Sequence, residues 1–409
     1  MNEFEKSWPI SDDIRQFERH AAQGLAIIEN QLILPADGRW DVAYGSLVQG
    51  GLASTVHAEG DPGTGKTQFG NIVMGEQNRT DIAATDTVET LEGYYRPTDG
   101  KLNVGKMHIN PNDVRLFLNE ISHLRDTGPL HKYWDANEID INGAIYDLSN
   151  ASTYLTSNFK DGARSKDLDT ALRSRIGVSV LAGDNTSAIA GLIQGKDLGK
   201  VKDTVSNVGL LPPSKTRQQI RELLSARYPL GRSSGEYMTN VLSSLNNTGL
   251  FVPITLTDSR IGQGWQQAVR AKRLVEGSSQ KEVQIKNEDL AIVAALALGS
   301  VAVLNNSGNA LFQEHTAKLD RLSPIEKAVI ARRFIAAVAF KSVIDMGDFK
   351  NGDISGMTKF MQKRSYANIP NHDQIDGIII DQLVNSPKQL PQESSNESRS
   401  RFRLRRSSK

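Results

Sequence analysis

The residues Gly60–Thr67, Gly-Asp-Pro-Gly-Thr-Gly-Lys-Thr, place the strongest constraint on how this 409-residue chain can fold. They match the phosphate-loop pattern G-x-x-x-x-G-K-[ST], and the run Ser54–Ala58 just before them is typical of a strand. Glycines let backbone N–H groups form an anion nest, which the positive end of the following helix completes. An ordinary glycine-rich turn is the alternative, but the complete spacing favours a loop that binds the phosphates of ATP or GTP. The predicted nucleotide-binding residues are Gly60, Asp61, Pro62, Gly63, Thr64, Gly65, Lys66 and Thr67.

Composition argues against several other classes of protein. The charges almost cancel, with 48 Lys and Arg against 47 Asp and Glu, so the overall charge predicts neither a nucleic-acid nor a membrane partner. The absence of cysteine excludes disulfides, thiol catalysis and cysteine-bound zinc. The start of the chain lacks a signal-peptide pattern, and the longest apolar run, Leu290–Leu304, is shorter than the ~18 residues of a membrane span. We therefore expect a cytoplasmic protein without a membrane span.

Apolar runs alternate with helical patterns through the first half of the chain, which predicts an α/β fold with a parallel sheet wrapped by helices. The expected strands are Ser54–Ala58, Val114–Leu118, Ser152–Thr156 and Ile176–Leu181. We predict five regions: a helical lead-in at 1–38, a nucleotide-binding core at 39–185, a linker and helical lid at 186–300, a C-terminal helical region at 301–385, and a disordered basic tail at 386–409.

The predicted strand Val114–Leu118 ends in Asn119 and Glu120, two polar residues suited to hydrolysis. In P-loop ATPases the corresponding strand usually ends in Asp-Glu, where Asp holds the Mg²⁺ shell and Glu activates the attacking water. Glu120 is therefore the predicted catalytic base, and Lys66 is expected to reach the outer phosphates. Asn119 carries no charge, so we expect Thr67 and Asn119 to form a weak Mg²⁺ site. The alternative is a solvated strand end.

Two later segments contain further candidates. The predicted strand before Asn158 could bring its amide to the water between Glu120 and the terminal phosphate, although such a residue often forms a turn. Arg173 and Arg175 precede the next strand, where an arginine could neutralise charge on a phosphate, including one bound by a neighbouring subunit. Surface arginines are the alternative for both.

Together these segments resemble the AAA+ ATPases, and among them the MoxR family, over about residues 40–300. Asn119 and His123 depart from this family, which usually has Asp and Arg at these positions. The similar blocks are the phosphate loop at 57–67, an acidic segment at 85–95 that precedes the family's extra hairpin, the strand end at 118–123, the sensor 1 position at 156–158, the arginine-finger block at 172–176, the sensor 2 block at 257–260 with a helix at 264–275, and the segment 283–290.

The resemblance implies an ATPase that uses ATP and Mg²⁺, forms a homo-oligomeric ring, usually a hexamer, and remodels a client protein. Such proteins often work with a partner that carries a von Willebrand factor A domain. The resemblance also assigns roles: Asn158 as sensor 1, Arg175 as the arginine finger with Arg173 in reserve, and Arg260 as sensor 2, reaching the terminal phosphate from the lid.

Two other functions stay open at this stage. A non-hydrolysing nucleotide switch would use ATP only to set a conformation, and Asn119 would then mark lost catalysis. A nucleic-acid-associated AAA+ motor has less support, because the folded region shows no helix-turn-helix pattern or basic stripe. The Arg-rich tail that ends the chain could bind nucleic acid weakly and without sequence readout.

Overall fold

The structure is a computed structural model, and it describes residues 8–32, 39–83, 85–106, 112–123, 128–158, 170–182, 208–229, 232–247, 251, 254, 259–276, 287–301 and 324–343. Its helices are α1 Ile14–Gln31, α2 Trp40–Gln49, α3 Lys66–Met74, α4 Val88–Glu92, α5 Gly128–Asp135, α6 Thr170–Arg173, α7 Ser214–Arg227, α8 Arg232–Asn247, α9 Ser259–Glu276, α10 Asn287–Leu298 and α11 Pro324–Val343. Its strands are β1 Val56–Glu59, β2 Thr80–Ile82, β3 Gly93–Tyr95, β4 Leu102–Val104, β5 Arg115–Leu118, β6 Glu138–Ile141, β7 Ala144–Asp147, β8 Ser152–Ser157 and β9 Val178–Leu181.

Five strands form a central parallel sheet in the order β2-β5-β8-β1-β9. Parallel strands require crossover connections, and α3 lies in the one that leads from β1 to β2, two strands that are separated in the sheet by β8 and β5. Strand β8 lies between β5 and β1, and all of its residues are buried. The predicted α/β class with a parallel sheet is therefore confirmed.

Alternate side chains of the central strands enter two apolar clusters, one on each face of the sheet. Phe117 and Tyr154 belong to the cluster that also contains residues of α1, α2, α3 and the later helices. Leu116, Leu118 and Leu155 belong to the cluster that contains residues of α5 and the β6–β7 region. Because strand side chains alternate in direction, the two clusters bury both faces of the sheet.

The four predicted strands are all present, with their first or last residues shifted by one or two positions. The first starts at Val56 rather than Ser54 and includes Glu59. Strand β2 was not predicted, because it is three residues long and its middle residue, Asp81, is exposed. A short strand with one polar position gives no clear alternation of apolar and polar residues.

Two β-hairpins extend from the core, β3–β4 and β6–β7. The turn of the second hairpin is Asn142-Gly143, and both residues have positive φ, at 53° and 85°, as this tight turn requires. Asn142 also joins the hairpins through two hydrogen bonds. Its side-chain Nδ2 donates to the Glu92 backbone carbonyl at 2.8 Å, and its backbone carbonyl accepts from the Tyr95 hydroxyl at 3.4 Å. Strand β3 of the first hairpin is the end of the acidic segment 85–95, and the identity of this hairpin with the family's extra hairpin stays a prediction.

The helical layer packs closely against the core through α2 and α9. At their crossing, a Cβ on Gly45 would lie only 2.4 Å from the Ala271 carbonyl oxygen, so glycine is needed for this approach. Helix α1 begins after the N-cap Asp13, whose side chain accepts from the Arg15 N–H, and its apolar face joins the same cluster. The predicted lead-in therefore contributes a helix to the main apolar core, and the domain boundaries themselves stay predictions.

A buried ion cluster joins α7 to the sheet near the start of β5. The Arg217 guanidinium is fully buried and lies 2.6 Å from Asp113 Oδ1, and Arg115 Nη2 lies 2.6 Å from Asp113 Oδ2. Arg217 also donates to the Asn150 carbonyl at 2.9 Å. Burial lowers the pKa of Arg217 to about 10, and Asp113 opposes this shift. The cluster anchors α7 at the edge of the sheet opposite the phosphate loop.

Several predictions concern segments outside the described ranges. These are the ends of the lead-in at 1–7 and 33–38, the start of the linker at 186–207, parts of the lid blocks at 255–258 and 277–286, the parts of the C-terminal region at 302–323 and 344–385, and the basic tail at 386–409.

Candidate nucleotide site

The phosphate loop follows β1 at the carboxyl edge of the central sheet. Gly63 and Gly65 have φ angles of 82° and 83°, in the left-handed region that glycine adopts without steric cost. The Gly60 N–H donates to the Ser157 carbonyl at 3.3 Å, which ties the start of the loop to the end of β8. Helix α3 begins immediately after the loop, at Lys66. The predicted strand, loop and helix are therefore all present, and the loop N–H groups lie at a helix N-terminus.

The Lys66 side chain folds back into its own loop. Its Nζ donates to the carbonyls of Gly60 at 2.8 Å and Asp61 at 2.7 Å, and it lies 3.4 Å from the Thr64 hydroxyl. The residue is 6% exposed, and burial lowers the pKa of Lys66 to about 8, while Asp61, Glu120 and Glu59 oppose that shift. This partly desolvated cation sits inside a ring of loop carbonyls and N–H groups, which suits it to an anionic ligand.

Asn119 links the phosphate loop helix to the neighbouring strand. Its Oδ1 accepts from the Thr67 hydroxyl at 3.1 Å and from the Thr156 hydroxyl at 2.8 Å. Thr156 Oγ1 in turn accepts from the Glu120 N–H at 2.9 Å. The structure thus brings together Thr67 and Asn119, which the sequence placed in one metal site.

Glu120 has a strained backbone with a side chain open to solvent. Its φ of 56° is in the left-handed region, which is uncommon for residues other than glycine, asparagine and aspartate. The bond from its N–H to Thr156 and a bond from the His123 N–H to its carbonyl at 2.9 Å hold this conformation. The carboxylate side chain is 53% exposed, with Oε2 4.0 Å from His123 Nε2. Such strain, held by neighbouring bonds, is typical of functional positions.

Asn158 directly follows β8, between the two strand ends just described. In the register, Ser157 pairs with Glu59 of β1 and Leu155 pairs with Leu118 of β5. Asn158 is half-buried, and it lies at the same edge of the sheet as the phosphate loop and Glu120. This location is compatible with the predicted sensor 1 role, which stays a prediction.

Sequence reasoning missed a buried polar network behind the loop. His57 lies in β1 with its Nε2 2.8 Å from Ser157 Oγ and its Nδ1 3.4 Å from Ser179 Oγ. Arg332 of α11 donates two hydrogen bonds to Ser179. One is accepted by the Ser179 hydroxyl oxygen at 2.8 Å, and the other by the Ser179 backbone carbonyl. Burial lowers the pKa of His57 to about 3, and the charges of Arg332, Arg173 and Lys66 add to that shift. The available signal was the polar residues in strands that are otherwise apolar, since a buried polar group requires a partner.

Arg175 and Arg173 directly precede β9. They therefore lie at the amino end of the parallel strands, opposite the carboxyl end that carries the phosphate loop. Arg175 makes a two-pronged ion pair with Asp135, at the end of α5, with Nε–Oδ1 and Nη2–Oδ2 distances of 2.8 and 2.7 Å. Arg173 Nη1 donates to the Ser300 carbonyl at 3.1 Å, beside the end of α10. Neither arginine lies at the edge that carries the phosphate loop. Asp135 was not among the residues predicted from the sequence.

Arg260 lies in the first turn of α9, and its side chain is outside the described part of the structure. One turn later, a Cβ on Gly264 would lie 2.9 Å from the Gly177 Cα, next to the amino end of β9. In the parallel register Val178 pairs with Val56, so this is the end of the sheet away from the phosphate loop. The sensor 2 role of Arg260 stays a prediction.

The residues at the carboxyl edge fit a nucleotide with a single divalent ion. The loop supplies N–H donors and the Lys66 cation for phosphates, and the Thr67 hydroxyl is the kind of oxygen ligand that Mg²⁺ takes in P-loop sites. No group of three His, Asp or Glu side chains suited to a metal occurs within the described ranges. The Mg²⁺ site predicted at Thr67 and Asn119 stays a prediction. Of the helices that the structure describes, none has the length and apolar character of a membrane span.

Comparisons with known proteins support this description of the fold. No protein-family model matches the sequence, and no curated protein matches it. A solved structure from Cytophaga hutchinsonii, of a protein provisionally named an ATPase, is similar with a TM-score of 0.54 and 13% identity, over 78% of this chain and 94% of that one. A full-length MCM homolog from Methanopyrus kandleri gives 14% identity over 73% of this chain and 64% of that one, with a TM-score of 0.43, too low to support an inference. This likeness agrees with the sheet order and phosphate loop described above: the chain has an α/β fold with a parallel sheet and a phosphate loop, followed by helical regions.

Proposed function

We propose that this protein binds ATP with Mg²⁺ and hydrolyses the terminal phosphoanhydride bond. The observation that supports this most directly is the contact between the Thr67 hydroxyl and Asn119, at 3.1 Å, with Glu120 next in the chain. It joins the first turn after the phosphate loop to the strand end that bears the candidate base. These are the two parts that a hydrolytic P-loop site needs in one place.

Each side chain has a distinct part in this proposal. The loop N–H groups from Gly60 to Gly65 bind phosphate oxygens, and Lys66 exchanges its carbonyl partners for the outer phosphates. Thr67 holds the Mg²⁺, which neutralises charge on the phosphates when bound. Glu120 takes a proton from the attacking water, and Asn158 orients that water. The Thr156 hydroxyl fixes the backbone of Glu120.

We further propose that the protein works as a homo-oligomeric ring, as the resemblance to the MoxR family implies, and remodels a client protein. The support is the location of Arg175 at the edge of the sheet opposite its own phosphate loop. An arginine there can reach a terminal phosphate only in a neighbouring subunit. A hexamer and a partner with a von Willebrand factor A domain are part of this proposal. A pull-down with Glu120→Gln, which should hold ATP without cleaving it, is the experiment to identify the client.

A nucleotide switch without hydrolysis is the second candidate. It is favoured by one observation, the uncharged Asn119 beside Thr67. An amide adds no negative charge to a metal site, so the metal would be held more weakly than by a carboxylate. The switch and the ATPase share the phosphate loop and differ only in turnover.

The test compares two substitutions in the proposed site. Lys66→Ala removes a charge-assisted contact to phosphate, so we expect ATP affinity to fall roughly 10- to 100-fold in calorimetry. Glu120→Gln keeps the loop intact, so we expect unchanged ATP affinity but hydrolysis at least ~100-fold slower.

Lys101→Ala is the matched control, because it removes an exposed lysine of the β3–β4 hairpin. It should leave both quantities unchanged. Wild-type protein that fails to bind ATP would contradict the proposal, and tight binding without turnover at any Mg²⁺ concentration would establish the switch instead.

A further inference from the structure

The amide of Asn119 is held in one orientation by two hydroxyl groups. Its Oδ1 accepts from Thr67 on one side and from Thr156 on the other. The Thr156 oxygen already accepts from the Glu120 N–H, so the hydroxyl proton of Thr156 is available for donation to Asn119. The amide oxygen, with two lone pairs, is therefore fully used by these two donors.

The other arm of this amide is its NH₂ group, Nδ2. In a planar amide the oxygen and the nitrogen are bonded to the same carbon and point in different directions within one plane. Among the residues that the structure describes, none accepts a hydrogen bond from Asn119 Nδ2, and Asn119 is exposed. The two N–H donors of Asn119 thus have no acceptor among the described residues, and the side chain that carries them contacts Thr67 at the edge of the sheet with the phosphate loop.

We propose that Asn119 is a phosphate-binding residue, whose Nδ2 donates to an oxygen of the outer phosphates. This inference rests on the proposed function, because it assumes a nucleotide in the loop. An aspartate at this position would have a second oxygen in the place of the Asn119 NH₂ group. That oxygen would accept hydrogen bonds from metal-bound water and would repel phosphate. The amide presents donors instead, so part of the phosphate charge is met by the protein rather than by Mg²⁺.

This difference changes what the site selects. A site that relies on a carboxylate and Mg²⁺ binds the metal complex of a nucleotide far better than the free nucleotide. Here the loop N–H groups, Lys66 and the Asn119 amide are all donors to phosphate. We therefore expect the protein to bind metal-free ATP nearly as tightly as Mg²⁺–ATP.

Asn119→Asp is a sharp test because it is nearly isosteric. The aspartate keeps an oxygen that accepts from Thr67 and Thr156, and only the NH₂ group is replaced, by an acceptor with negative charge. Affinity for a fluorescent ATP analogue is measured with Mg²⁺ and with EDTA. For the wild type we expect the two dissociation constants to agree within ~3-fold. For Asn119→Asp we expect binding in EDTA to weaken by ~10-fold or more, as for a lost bond to a charged group, and Mg²⁺ to restore most of it.

Asn103→Asp is the matched control, since it makes the same change at an exposed position on the β3–β4 hairpin and should leave both constants unchanged. Thermal unfolding of both variants checks that the fold is kept. The inference is overturned if Asn119→Asp binds metal-free nucleotide as well as the wild type does, or if Mg²⁺ tightens wild-type binding by more than ~10-fold. These outcomes differ from failure of the proposed function, in which the wild type binds no nucleotide in either condition and Lys66→Ala behaves identically.

Discussion

At the scale of single residues, Lys66 places a largely buried positive charge inside the phosphate loop. Its ammonium group is largely buried and bonded to the carbonyls of Gly60 and Asp61, and its pKa is lowered to about 8. Phosphates would raise this pKa again, because an adjacent negative charge favours the protonated lysine. Nucleotide binding should therefore take up protons near pH 8. Between pH 7 and pH 9 we expect the affinity for ATP to fall roughly tenfold. The reason is that the fraction of protein with a protonated Lys66 before ATP binds falls by that factor over this range.

The measurement is calorimetry of ATP binding at pH 8 in two buffers with different ionisation enthalpies. The last pKa of the terminal phosphate is about 6, so this group is nearly fully ionised at pH 8. Its own titration therefore contributes little to the proton uptake. Lys66→Arg is the companion variant, because guanidinium stays protonated and should bind without proton uptake. Proton release by the wild type, or no exchange of protons, would show that Lys66 does not face the phosphates.

At the scale of elements, β1 is joined to β8 and β9 by a neutral histidine. His57 is fully buried between Ser157 and Ser179, with its pKa lowered to about 3 by burial and by nearby cations. The unfolded chain binds a proton at this residue below about pH 6.5, whereas the folded chain does not. The stability that neutral His57 contributes is thus complete above pH 6.5 and is lost as the pH falls towards 3. Between pH 7 and pH 5 we expect a loss of about 2 kcal/mol from this group.

Urea unfolding at pH 7 and pH 5 checks this value by comparison with His57→Gln, which keeps polar atoms but cannot titrate. The wild type should lose more stability than the variant over this interval. His123→Gln is the matched control, because it makes the same substitution at a partly exposed histidine outside the network of His57, Ser157 and Ser179. Equal losses in wild type and His57→Gln would mean that His57 is protonated in the folded sheet.

At the scale of the whole molecule, the carboxyl ends and the amino ends of the parallel strands carry different parts of the proposed ATPase. The phosphate loop, Glu120 and Asn158 lie at one edge, and Arg175 lies at the other in an ion pair with Asp135. If Arg175 completes a neighbour's site, Arg175→Ala should bind ATP normally but hydrolyse it slowly. Lys66→Ala should also be inactive. A mixture of the two should regain part of the activity, because some intact loops would face an intact Arg175.

Co-assembly in that mixture is verified by a tag on one of the two proteins. A mixture that co-assembles without any recovery would place Arg175 within its own subunit or outside the reaction. The ion pair with Asp135 adds a condition, since Arg175 must leave this partner to reach a phosphate. An Asp135→Asn protein should retain the capacity for complementation if the pair is only a resting position.

The phosphate loop was predictable from the sequence because its parts are neighbours in the chain. Left-handed φ at Gly63 and Gly65 and the helix start at Lys66 follow from residue types within a few positions. The buried strands were predictable for the same reason, except β2, which is too short to show a pattern. The bonds from Thr67 and Thr156 to Asn119 and the site of His57 depend on the order and register of strands β1, β5, β8 and β9. Those neighbours are up to 122 residues apart in the chain, and no local propensity selects them. The position of α9 against α2 was decided by packing between helices, where close contacts such as Gly45 against Ala271 determine which surfaces meet.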